Sequence, residues 1–194
     1  MRKLIAAALL LCGAAPLTAQ TTGTPVFMAP YRAFRTLEVG GSLSDPGPGW
    51  ALEGFYRYGY EAFDIGFRAG IRDNGETRAL LGVDGRARVI SHSEAFPLDG
   101  AVTVGFGGEL GDHSIGFIPI GLSLGRRFDL KDSDVSMSPY VHPLLVPIFG
   151  DRDDVEVALG IGVDVRLTKQ LDLRVSGAIG AFYEGLSVSL AFLR

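Results

Sequence analysis

Residues 155–167 alternate without a fault. Val155, Val157, Leu159, Ile161, Val163, Val165 and Leu167 are branched aliphatics; Glu156, Ala158, Gly160, Gly162, Asp164 and Arg166 between them are small or charged. Successive side chains of a strand point to opposite faces, so the segment has one oily face and one of ions and glycine. At thirteen residues it is longer than an ordinary strand and suffices to cross a bilayer at a tilt.

The same pattern recurs. Ten alternating runs cover about 36–44, 50–60, 62–72, 77–90, 100–110, 114–127, 136–149, 154–167, 171–180 and 186–193. The separators have turn chemistry. Asp45-Pro46-Gly47-Pro48-Gly49 cannot continue a strand, and Asp73-Asn74-Gly75-Glu76 holds the Asn-Gly pair of a tight hairpin. Gly111-Asp112-His113, residues 150–154 and Thr168-Lys169-Gln170 are equally compact. Short turns pair neighbouring strands antiparallel. The run 136–149 is the weakest, because Pro139, Pro143 and Pro147 remove ladder donors. It is expected to be kinked, bulged or partly outside the wall, and eight strands is the alternative count.

Two barrels fit such alternation. A soluble one turns its apolar side chains inward, a membrane one turns them to lipid. The membrane version is favoured here. Its apolar face is uniformly Leu, Val, Ile and Phe, while the polar face is heavy in glycine and alanine rather than lysine. Aromatics gather near strand ends, where interfacial girdles sit: Trp50, Tyr58, Tyr60, Phe63, Phe128, Phe149, Phe182, Tyr183 and Phe192. Positive hydropathy with no helix-length apolar run beyond the N-terminus fits the same reading, since a barrel spreads its apolar residues over alternate positions. The fold class read from the chain is therefore all-β: a transmembrane antiparallel up-and-down β-barrel of about ten strands with short turns.

The N-terminus reads as a signal peptide over residues 1–19. Arg2 and Lys3 precede the apolar run Leu4–Leu11, and Pro16-Leu17-Thr18-Ala19 ends in a small residue. Cys12 follows Leu11, where a lipoprotein signal wants a small residue, so lipid attachment is not expected. Residues 20–35 form a lead-in and 36–194 the barrel. Cleavage would remove Arg2, Lys3 and the only cysteine, making the balance more acidic than the −4 of the whole chain. That excludes a disulfide framework, a cysteine nucleophile and a zinc–thiolate site, and argues against a nucleic-acid partner.

If both ends of an even-stranded barrel face the periplasm, the turns at 45–49, 73–76, 111–113, 150–154 and 181–185 face outward. Those turns are acidic, with Asp45, Asp73, Glu76, Asp112, Asp151, Asp153, Asp154 and Glu184 against Arg152. They are read as solvated loops rather than a Ca²⁺ or Mg²⁺ site. Lys131 and Lys169 fall in turns at the opposite end.

Alternation also assigns the interior. The inward acids are Glu38, Glu53, Asp64, Asp84, Glu109, Glu156, Asp164 and Asp172; the inward bases are Arg57, Arg68, Arg72, Arg78, Arg86, Arg88, Arg126, Arg166 and Arg174. Unpaired ions in a narrow lumen would be costly, so this near-balance is read as a salt-bridge network that plugs the barrel. The competing reading is a charge-lined pore, with inward glycines such as Gly66, Gly70, Gly82, Gly121 and Gly162 leaving room for water. On this facing, Val163→Arg should be damaging and Gly162→Ser mild.

Catalytic signals are weak. Ser91-His92-Ser93-Glu94 has the residue types of a hydrolytic triad but only as neighbours in a turn. His113-Ser114 follows Glu109 near an outer mouth, and His142 sits alone in the proline-rich run. Three scattered histidines make no metal-ligand spacing, so neither a cofactor nor a metal is expected.

The leader, the short alternating hairpins and the closing segment Leu186-Ser187-Val188-Ser189-Leu190-Ala191-Phe192 resemble small bacterial outer-membrane β-barrel proteins of the OmpA/OmpX or porin-like kind. Such barrels commonly end in an aromatic; here Phe192 holds the alternation, followed by Leu193 and Arg194. The resemblance implies insertion into the outer membrane by the barrel-assembly machinery, with outer-membrane lipid as the surrounding partner. It speaks for architecture more than activity. The expected role is non-enzymatic and structural within the envelope. The alternatives are a narrow porin for ions or small polar solutes and, below that, an outer-membrane lipid hydrolase.

Overall fold

The computed structural model describes residues 37–45, 49–131, 133–180 and 185–194. The leader, the lead-in, Pro46–Pro48, Phe182, Tyr183 and Glu184 lie outside the described residues.

The strands are β1 Leu37–Asp45, β2 Trp50–Tyr60, β3 Phe63–Asp73, β4 Thr77–Ile90, β5 Asp99–Leu110, β6 Ile115–Phe117, β7 Ile120–Gly125, β8 Phe128–Asp129, β9 Ser136–Gly150, β10 Asp154–Arg166, β11 Leu171–Ile179 and β12 Gly185–Leu193. Each wall neighbour is antiparallel, and β1 pairs β12 to close the ring. Because β6, β7 and β8 share one wall position beside β9, the barrel has ten positions, as the run count anticipates. Leu37 and Arg194 exchange backbone hydrogen bonds of 3.0 and 2.9 Å, which marks the terminal end. The turns at 74–76, 111–114 and 151–153 mark the far end.

Local chemistry sets the turns. Tyr60 faces Phe63, leaving Glu61 and Ala62 as a two-residue turn in which Glu61 takes a positive φ of 51°. At the far end Gly75 has φ 101°, a region open to glycine, and its amide donates to Asp73 Oδ1 at 3.0 Å.

The proline-rich run is not outside the wall: β9, at 15 residues, is the longest strand. Pro139, Pro143 and Pro147 recur every fourth residue, so all three missing N–H groups fall on one edge. Against β10 the pairing is unbroken from Asp154 opposite Ile148 to Arg166 opposite Ser136. The prolines turn their blank edge to the sixth position. There one register persists, but the strand breaks after Phe117 and after Gly125, and the ladder skips the residues between Gly121 and Leu124. Ile118 and Arg126 donate to the carbonyls of Pro147 and Pro139 at 3.0 and 3.3 Å, and neither proline can return the bond.

Outward positions are almost uniformly large and apolar. Val157 is 70 % exposed, Val155 62 %, Ile179 60 % and Phe192 58 %. Trp50 and Phe149 sit toward the far end, and Tyr58, Tyr60, Phe63 and Phe128 toward the terminal end. A belt of this extent is untenable against water and suits hydrocarbon.

Candidate functional site

Among the described residues the largest gathering of chemistry-bearing side chains is in the lumen, which has two unlike sectors. The first is ionic. In its terminal half Arg57 lies between Asp64 and Asp84 and donates to both. Arg86 also donates to Asp64, through Nε at 3.0 Å and a second nitrogen. Arg174 donates to Glu38 and stands 3.6 Å from Asp164 and 3.8 Å from Asp172. Arg166 Nε donates to Asp172 at 3.2 Å. Glu38 and Asp172 are wholly buried, as nearly are Asp64, Asp84 and Asp164, so the layer, drawn from β1–β4, β10 and β11, holds its carboxylates away from water.

The far half holds a second group. Arg72 donates to Glu109 at 2.9 Å, and Arg78 lies 3.7 Å from Glu109 and 3.3 Å from Glu76. Arg68 donates to Glu53 at 3.1 Å. The Phe55 ring is held between Arg68 and Arg174, whose guanidinium carbons are 5.5 and 5.7 Å from its centroid, within cation–π reach.

All eight acids read as inward thus have an arginine within ion-pair distance. For Glu156 that partner is Arg152, which the alternation did not flag because it lies in a turn. Hydrogen bonding to Asp154, then the Glu156 charge, raises the pKa of Arg152 above its ordinary value. Two of the inward bases lie toward the terminal mouth. Arg88 is exposed, because its amide bonds to Ala62 in the β2–β3 turn and the residue lies at the mouth, beside a bulge in β4. Arg126 donates to the Pro97 carbonyl at 3.4 Å.

The second sector is packed. Phe117, Leu144, Val146, Ile148, Ala158 and Ala178 form a buried apolar cluster across β6, β9, β10 and β11. Below it His142, fully buried, meets the Thr103 hydroxyl at 2.8 Å through Nε2.

The inward glycines do not leave open space at several positions. A Cβ on Gly66 would meet Arg57 and Asp84, one on Gly70 would meet Glu53, and one on Gly40 would strike the Phe55 ring. On Gly121 and Gly162 it would meet His142 and Tyr140. These glycines seat the side chain of a neighbouring strand, which corrects the reading of Gly66, Gly70, Gly121 and Gly162 as room for water.

Neither serine–histidine motif forms a convergent triad. His92 Nδ1 lies 3.0 Å from Asp99, but Ser93 Oγ accepts from the Phe96 amide at 3.2 Å. His113 lies 3.6 Å from Asp151, and Ser114 Oγ donates to the Gly111 carbonyl at 3.3 Å. Both serines are committed to their turns. Among the described residues no three His, Cys, Asp or Glu side chains are grouped to hold a metal.

Apolar outside, ionic and packed inside, and closed edge to edge, the molecule belongs to the class of transmembrane β-barrels. No family model and no curated protein matches the sequence. Among solved structures, the "Crystal Structure of the Beta Domain of the Bordetella Autotransporter Brka" aligns over 81 % of this chain and 97 % of that one, at 14 % identity and a TM-score of 0.49. A structure described as "Unveiling the Mechanism Behind the in-meso Crystallization of Membrane Proteins" aligns over 82 % and 83 %, at 12 % identity and a TM-score of 0.35.

Proposed function

We propose that this chain is a sealed outer-membrane β-barrel with a structural, non-enzymatic role in a bacterial envelope. The observation that carries the proposal is the ion-pair layer of Glu38, Arg57, Asp64, Asp84, Arg86, Asp164, Asp172 and Arg174. Its carboxylates are paired with arginine and held out of water in the terminal half of the lumen, which supports a closed interior. A permeant ion would have to strip these groups of their partners, and each unpaired buried charge costs several kcal/mol, on the order of 3–5. In this reading the far end faces the exterior, the apolar belt contacts outer-membrane lipid, and the barrel-assembly machinery inserts the chain.

The test is planar-bilayer recording on the refolded protein. Heat-modifiable, inserted protein that passes no discrete current supports the sealed barrel. Reproducible conductance steps would replace it with the narrow porin. A serine-reactive probe that labels the protein, or altered lipid after expression, would instead favour the hydrolase.

A further inference from the structure

A groove of about 1000 Å³ is cut into the outside of the wall, across β2 to β6 and the end of β9. Its large lining side chains, Tyr56, Phe67, Leu81, Phe106, Leu110 and Phe149, are all exposed ones on the lipid face. Small outward residues make its floor. Gly54 faces Ala69 and Gly108 faces Gly116, while Leu81 pairs Ala69 on one side and Gly108 on the other. On the terminal side of that row stand Tyr56, Phe67, Val83 and Phe106, each opposite the next. On the far side stand Leu52, Ile71, Ala79 and Leu110. The Phe149 ring leans over Gly116, 6.0 Å from that of Phe106.

The floor starts at Gly54, midway along β2, and ends at Phe149 and Gly150, the far-end tip of β9. It crosses the strand spacings from β2 to β9, roughly 24 Å at ~4.8 Å each. With strands tilted by roughly 35–45°, such a row climbs about 14–17 Å, one leaflet of a hydrocarbon core about 30 Å thick. The flanking rows are about 13 Å apart along the strands before side chains narrow the gap. That admits one hydrocarbon chain, whereas the convex wall of a second barrel cannot enter it. Left empty, the lining would forfeit dispersion contacts that the rest of the belt makes with lipid. Among the described residues Arg68 is the one charged residue along the groove, and it donates inward to Glu53. No charge there selects a headgroup.

We propose that this groove is a binding site for one straight acyl chain of a membrane lipid from the leaflet at the far end, held by fit to the chain and not by its headgroup. The groove is continuous with the apolar belt, so the lipid enters sideways without leaving the bilayer.

The test is native mass spectrometry of the full chain, refolded in detergent with dipalmitoyl phosphatidylcholine. One retained lipid per barrel is expected, and phosphatidylethanolamine with the same chains should be retained alike. Branched diphytanoyl phosphatidylcholine should be retained about tenfold less, the discrimination that one misfitting methylene group gives in an apolar pocket. Gly54→Leu fills the floor, although its Cβ meets nothing nearer than 4.0 Å, and should lower retention by a similar factor. Val188→Phe, an outward change on β12, should leave it unchanged. Each variant is checked for folding by heat-modifiability. No retained lipid, equal retention of straight and branched chains, or equal loss in Gly54→Leu and Val188→Phe would overturn the proposal. So would a dimer that Gly54→Leu abolishes, which would give the groove to a second copy. None of these outcomes bears on conductance, which tests the sealed barrel separately.

Discussion

The two sectors of this barrel solve the same problem with opposite materials. From β1 to β5 the wall ladders are unbroken but for one bulge in β4, and the interior is held by arginine–carboxylate pairs. Around β9 the sixth wall position is broken opposite three prolines, and there the interior is packed with Phe117, Leu144, Val146 and Ile148. Where the backbone provides fewer bonds, side-chain packing holds the wall together. Where the ladder is nearly continuous, the lumen can carry charges, whose net contribution to stability is small even when breaking them is costly. A membrane barrel can therefore lose ladder bonds or lose an apolar interior, and this one does not lose both in the same place.

That contrast can be broken experimentally. Arg57→Met strands Asp64 and Asp84 without their shared partner and should cost about 3–5 kcal/mol, read from urea unfolding in lipid vesicles. An effect below about 1 kcal/mol would show that the layer is hydrated and not a seal. Ile161→Arg places a charge on the lipid face of β10 between Val141 and Gly177, and should cost about 2–4 kcal/mol by the same assay. If it is neutral, the inside and outside are misassigned.

Gly162→Ser should cost about 1–3 kcal/mol, because its Cβ would lie 2.5 Å from the buried Tyr140 ring. Alternation alone made this change mild; the seated ring reverses that expectation. The smallest effect is a gain. Pro143→Val restores a donor toward Leu122 and should stabilise the barrel by about 0.5–1.5 kcal/mol. Faster hydrogen exchange should also mark β7 relative to β10, and Pro143→Val should narrow that difference. If neither changes, the break in the sixth position has another cause.

Much of the architecture was legible because the period of two is so regular. The ten runs align with the ten wall positions, and parity places Glu38, Asp64, Arg174 and their companions on the buried face. What stayed hidden depends on contacts between distant strands. Arg174 meets Glu38 across 136 residues, and no local pattern could pair them. The glycines were visible, but not the rings and guanidiniums seated on them. The prolines read as a defect of their own strand, yet the strand that breaks is the neighbour at the sixth position. Their four-residue spacing was the signal, since it puts every missing donor on one edge.

The bonds between Leu37 and Arg194 have a consequence for how the molecule comes into being. The seam between β1 and β12 joins the beginning of the wall to its end, and Arg174 reaches Glu38 across the same region. Without β12 there is no ring. A chain halted before Gly185 would present β1 and β11 as two bare edges, each a template for pairing with another chain. The wall is closed only when the nine residues of β12 lie between β11 and β1, so the seam is the single place where the two ends of the sheet can be parted without breaking a hairpin.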